Sequence, residues 1–234
     1  MAQGPAEPAS RPWRDLGVRA ASALILGPLG LAALWWGGLP WVVLTTTLAG
    51  LAGGEWFAMW RARHGQQHPL AKLAVGALYI LPAPLVLQWM RADPQVGRAN
   101  VLFLVLIVWG TDIGAYLIGR LFGGPKLAPR ISPGKTRSGA VGGLAVAVLI
   151  GWVAALLWQV APLQGMLVAA LLGVISQAGD LLESAAKRSF GVKDSGHLIP
   201  GHGGVLDRVD GLLTAAPAAG LLVLILGQGK LLWQ

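Results

Sequence analysis

Only ten of the 234 residues are acidic, and beyond Asp93 the acids are Asp112, Asp180, Glu183, Asp194, Asp207 and Asp210 alone. Four of those six fall between Asp180 and Asp207. Asp180 and Glu183 follow the apolar run Leu167 to Ile175. A carboxylate at the centre of a bilayer costs roughly 2.5–3.5 kcal/mol, so one near it calls for a partner or a metal. At helical spacing Asp180, Glu183 and Lys187 share a face, with Ser184 and Arg188 on the adjacent stripe. The plain reading of Glu183 with Lys187 is a helix-end ion pair, which leaves the segment beyond it unexplained.

From Ser184 to Gly211 cations, glycines and carboxylates are interleaved. Gly201, Gly203 and Gly204 surround His202 and allow close backbone approach to a ligand, as phosphate-binding loops require. Lys187, Arg188, Lys193 and Arg208 can hold phosphate oxygens. Asp180, Asp207 and Asp210 offer the hard oxygen ligands that Mg²⁺ takes together with substrate phosphates. Such a mixture suits a metal that bridges anionic substrates, whereas a patch for anionic lipid needs cations only.

Upstream, Ser132-Pro-Gly-Lys-Thr136 nearly spells a nucleotide-binding P-loop. Pro129 stands at its first glycine position and no strand, loop and helix surround it, which excludes that class of ATPase. Asp112, beside Thr111 in an apolar span, is either a buried hydrogen-bond partner or part of the polar floor of a headgroup cavity. Glu55, next to Trp56 with no cation nearby in sequence, reads as structural. The chain has no cysteine, so thiol catalysis, thiolate metal sites and disulfides are excluded.

The segment resembles the signature of the phosphatidate cytidylyltransferases, the CDP-diacylglycerol synthases: S-x-x-K-R, K-D-x-G, P-G-H-G-G and D-R-x-D. Here these are Ser184, Lys187 and Arg188; Lys193, Asp194 and Gly196; Pro200 to Gly204; and Asp207, Arg208 and Asp210. The similarity continues upstream through Asp112 to Tyr116, Gly119-Arg120, Lys126 to Pro129 and Ile131 to Thr136, so that it covers about residues 100 to 230. The chain departs from the family at Gly134 and Ser138, where members carry a second Lys and an acid, which leaves Lys135 and Thr136 as the phosphate contacts of that loop.

The resemblance implies that phosphatidic acid attacks the α-phosphorus of CTP and pyrophosphate leaves. Asp180 and Asp207, with Asp210, would hold Mg²⁺, and Lys187, Arg188 and Lys193 would neutralise developing charge. Ser132, Lys135, Thr136, Asp112, Ser184, Asp194, His202, Gly203, Gly204, Arg208 and Asp210 would line the substrates, His202 as a ligand contact or loop-shaping residue rather than a base.

The elements that must position these residues are membrane helices. The composition is 55% apolar and 12% charged, where soluble domains carry roughly 25% charged residues. Apolar runs fall at about 18–37, 40–60, 71–90, 100–122, 138–160, 163–183 and 211–226. The expected fold is thus an all-α polytopic bundle of about seven transmembrane helices, within a range of six to nine. Residues 1–15 read as a disordered cytoplasmic lead, 16–98 as amino-terminal helices, and 99–234 as the catalytic region with loops 120–137 and 187–208. With the amino terminus inside, fifteen of the eighteen Lys and Arg residues lie on the cytoplasmic side, and only Arg91, Arg98 and Lys230 lie opposite.

That bias explains the net charge of +8 without nucleic acid as a partner, and a bacterial plasma membrane is the expected setting. Glycine pairs four apart, Gly50 with Gly54, Gly110 with Gly114 and Gly139 with Gly143, suit close helix packing and a homodimer. An ion-coupled transporter using Glu55, Asp112, Asp180 and Glu183 is the rival class, but the charges gather at one face and no inverted repeat is evident. A related CTP-dependent enzyme acting on another lipid is the third reading.

Overall fold

A computed structural model describes residues 12–62, 70–196, 198 and 203–233. Helices α1 (Pro12–Trp36), α2 (Gly38–Ala62), α3 (Ala71–Ile80), α4 (Pro82–Arg91) and α5 (Gly97–Phe122) come first. A hairpin of β1 (Lys126–Ala128) and β2 (Ser132–Thr136) follows, then α6 (Arg137–Leu157), α7 (Pro162–Ser189) and α8 (Leu206–Leu226). The all-α membrane bundle read from the sequence is the fold observed.

Among the described residues six segments are long and apolar enough to cross a membrane, namely α2, α3 with α4, and α5 to α8. At 21 to 28 residues they run roughly 32 to 42 Å, against a hydrocarbon core of ~30 Å. Their outward faces carry Leu85, Leu121, Leu157, Leu221 and Ile225 exposed, as expected where the solvent is lipid. The chain is a multi-pass integral membrane protein. The first expected span corresponds to α1, which begins at Pro12 and whose described apolar part, Leu24–Trp36, is shorter than the six.

The third span is two helices in line. Pro82 and Pro84 lack the amide hydrogens that would bond the preceding turn, so the helix is interrupted at Leu81, whose N–H still reaches Ala77 O at 2.9 Å. In the hairpin, β1 and β2 pair antiparallel, Lys126 opposite Thr136 and Ala128 opposite Ser132. The near-P-loop segment is therefore the second hairpin strand. Its last residue caps α6, Thr136 Oγ1 accepting from Gly139 N at 3.1 Å.

Small residues let α5, α6 and α7 approach closely. A methyl at Gly143 would stand 2.6 Å from Thr111 O on α5, and one at Gly151 would stand 2.3 Å from Gly165 O on α7. Gly165 would meet Gly151 O in return at 2.7 Å. Gly50 and Gly54 differ: a methyl at either meets nothing within 4 Å among the described residues. At the far end residues 227–233 fold back on the bundle. There Asn100 donates to Lys230 O and accepts from Leu232 N, both at 2.9 Å, and Trp233 packs 4.4 Å from Phe103, ring centre to ring centre.

Candidate active site

The last turns of α7 and the first turns of α8 bring three carboxylates together. Asp180, Glu183 and Asp210 each present an oxygen within 4.8 Å of the others. Asp180 and Glu183 stand one turn apart on α7, so one helix face supplies both. The crossing of α7 and α8 is tight enough to place Asp210 opposite them, because a methyl at Gly179 would lie 2.0 Å from Thr214 Oγ1 and 3.0 Å from Asp210 O. Tyr79 of α3 braces this crossing, its phenol lying 3.2 Å from both Gly179 O and Asp210 O.

Glu183 is 1% exposed, and its Oε1 has no hydrogen-bond partner. Its other oxygen pairs with Lys187 Nζ at 2.8 Å. Lys187 also pairs with Asp207 Oδ1, so one buried ammonium joins α7 to the first turn of α8. The second oxygen of Asp207 accepts from Ser195 Oγ at 2.9 Å, Gly204 N at 3.0 Å and Ser195 N at 3.3 Å. Lys135 reaches across from β2 and pairs with Asp180, which is about a third exposed. Asp112 of α5 lies close enough to Asp180, Lys135 and Arg208 for their charges to act on it.

Asp112 and Asp207 thus stand around the cluster of Asp180, Glu183 and Asp210, with Lys135, Lys187 and Arg208 among them. Three hard-oxygen groups within 4.8 Å of one another, one of them with a buried oxygen unpartnered among the described residues, fit a divalent cation such as Mg²⁺.

Of the three ligands expected from the sequence, Asp180 and Asp210 lie in the cluster and Asp207 does not, since Lys187, Ser195 and Gly204 occupy its oxygens. Glu183 stands in its place. Lys187 is likewise spent between two carboxylates. Arg188 donates to Ile131 O at 3.2 Å and Val192 O at 3.0 Å, tying the hairpin turn to the end of α7. The Thr136 hydroxyl is buried in its cap, and Ser184 is buried on α7. Ser132 opens β2, while Lys193 and Asp194 are exposed on the loop between α7 and α8. Gly203, with φ of +79°, and Gly204 lead into α8 beside Asp207, and Arg208 is exposed on its first turn. His202 lies outside the described residues, as do Pro200 and Gly201.

Four residues are not among the expected ligands and substrate contacts: Glu183, Tyr79, Ser195 and Glu55, whose Oε2 lies 3.0 Å from Ser195 Oγ. Glu55 carried a signal, being an acid inside an apolar span without a cation near it. Tyr79 is one of only two tyrosines, yet nothing in its local sequence distinguishes it from a packing residue.

A model of the cytidylyltransferase family matches residues 65–226. A phosphatidate cytidylyltransferase of Brucella suis biovar 1 is 54% identical over 144 residues, 61% of this chain and 53% of that relative. One from Pseudomonas aeruginosa is 40% identical over 206 residues, 85% of this chain and 69% of the relative. A third, from Haemophilus influenzae, is 40% identical over 167 residues, 67% and 58% of the two chains. The chain spans about half the length of the Brucella relative it matches. With the matched region running from before α3 to the end of α8 and holding the whole carboxylate cluster, the chain belongs to the cytidylyltransferase family.

Proposed function

We propose that this chain is a phosphatidate cytidylyltransferase, converting CTP and phosphatidic acid to CDP-diacylglycerol and pyrophosphate in phospholipid biosynthesis. The observation that carries the reading is the cluster of Asp180, Glu183 and Asp210, with an unpartnered buried oxygen, at the end of a membrane bundle whose relatives bear that enzyme's name. One substrate and one product are lipids, which accounts for a nucleotide-type site built on membrane helices.

Mg²⁺ would be held by Asp180, Glu183 and Asp210, and when bound it supplies charge neutralisation for the phosphates. A phosphate oxygen of the lipid forms the new bond to the α-phosphorus of CTP. The bond from that phosphorus to the β-phosphate oxygen breaks, and pyrophosphate leaves with the electron pair. The second pKa of a phosphate monoester is about 6, so the nucleophile is anionic at neutral pH and no side chain has to remove a proton. Catalysis then rests on positioning and charge. Lys135, partly exposed on Asp180, exchanges that carboxylate for a phosphate oxygen, and Lys193 and Arg208 add positive charge at the same end of the bundle. Lys187 keeps Glu183 and Asp207 in place. The site faces the cytoplasm of a bacterial plasma membrane, where CTP is available, a placement supported by the Lys and Arg bias.

The test is pyrophosphate release by the purified protein in detergent, with phosphatidic acid, CTP and Mg²⁺ each left out in turn, beside Asp180→Asn. Release that needs all three components and is lost in the variant supports the reading. Release from CTP with a different lipid phosphate, and none with phosphatidic acid, overturns the substrate.

A further inference from the structure

Glu55 lies on α2, far in sequence from every motif of the site, and is 5% exposed. Its Oε1 accepts from Val205 N at 2.9 Å and its Oε2 from Leu206 N at 2.8 Å. Ser195 Oγ lies 3.0 Å from the same Oε2. The amides it receives open α8, whose own N-cap residue, Val205, has no side-chain oxygen to offer them. A carboxylate 150 positions away therefore caps the helix, at the end where the helix dipole favours negative charge.

The fit is close on all sides. A methyl at Gly204 would stand 2.6 Å from Glu55 Oε2 and 2.0 Å from Ser195 Oγ, and one at Gly196 would stand 2.8 Å from Glu55 Oε1. Ser195 joins the two halves of the arrangement, since its hydroxyl lies 3.0 Å from Glu55 and 2.9 Å from Asp207 Oδ2. Asp207 and Asp210 occupy the first turns of the helix that Glu55 holds. Where that helix begins fixes where Asp210 stands against Asp180 and Glu183, and where Asp207 meets Lys187.

We propose that Glu55 is a positioning residue for the nucleotidyl transfer, setting the start of α8 and with it the carboxylates that α8 brings to the site. This rests on the function proposed above.

The experiment takes the full chain in detergent as parent and Glu55→Gln, which keeps the shape and loses the charge. Hydrogen exchange of the 204–210 region and steady-state kinetics are measured on both. In the variant the amides of Val205 and Leu206 exchange at least about tenfold faster while peptides from α5 and α6 keep their rates. Its kcat falls at least about tenfold, with KM for CTP changed by less than about threefold. Faster exchange everywhere would mean a general packing role and would overturn the proposal. So would unchanged exchange at 205 and 206, or local opening with kcat intact. Should Glu55→Gln not fold, Gly204→Ala presses on the same anchor from the other side and is read by the same two measurements. A parent inactive toward CTP and phosphatidic acid would count against the reaction itself, and the exchange data would then judge the anchor alone.

Discussion

Two lysines of the site have opposite environments and opposite expected responses to mutation. Lys187 is 11% exposed between Glu183 and Asp207, which are 1% and 9% exposed. Lys187→Met leaves two buried carboxylates without their cation and should cost about 3–5 kcal/mol of stability, read as a lowered unfolding temperature in detergent. Lys135 and its partner Asp180 are 26% and 31% exposed, so Lys135→Ala should change stability by less than about 1 kcal/mol. The same substitution should lower kcat/KM by about 10- to 100-fold, if its ammonium serves phosphate as proposed. Residue chemistry and spacing identified which side chains belong to this region. They do not show how Lys187 is held, because its second partner, Asp207, sits 20 residues away across the turn into α8. The helix-end ion pair of Glu183 with Lys187 is legible in the sequence, but only the crossing of α7 with α8 shows that Glu183 also lies beside Asp180 and Asp210.

Helices deliver these groups, and the bracing between helices is open to test. Tyr79→Phe removes the phenol that spans Gly179 and Asp210 and leaves the ring packed against Trp56, whose centre is 6.1 Å away. The loss should be about 1 kcal/mol in stability, with a several-fold rise in the Mg²⁺ concentration needed for half-maximal activity. At the opposite end, the turn between α4 and α5 is held by Asp93, which accepts from Gln95 N, Val96 N and Gly229 N at 2.9–3.1 Å. The bond from Val96, with those from Gln95 and Gly229, keeps its carboxyl below the ordinary value of 3.8. A depressed folded-state pKa means the stabilisation is full above 3.8 and is lost as pH falls through the lower, folded value. Protection of the Gly229 amide should therefore hold at mildly acidic pH and decline below 3.8, and Asp93→Asn should remove that dependence. The hairpin was the element least legible in sequence. A three-residue strand and a five-residue one carrying Pro133 and Gly134 give no alternating pattern, and pairing alone defines them.

The whole molecule was legible where hydropathy decides it, because a run of about 20 apolar residues has one use in a membrane. The break at Leu81 and the folding back of residues 227–233 were not, since both depend on neighbours rather than on local pattern. The orientation proposed from the distribution of Lys and Arg is testable on the native background, which contains no cysteine. Lys193→Cys should react with an impermeant thiol reagent only in inside-out vesicles, and Lys230→Cys only in right-side-out ones. The meeting of Gly151 with Gly165 has a mechanical consequence. Where two helices touch carbonyl to glycine, neither can roll or slide without collision, so α6 and α7 form a fixed jamb. The joints of α7 with α3 and with the hairpin are made instead by a phenol, an ammonium and a guanidinium, side chains that can turn and let go. For the two-chain lipid proposed above as substrate, clearance is therefore expected on the α3 and hairpin side and not between α6 and α7.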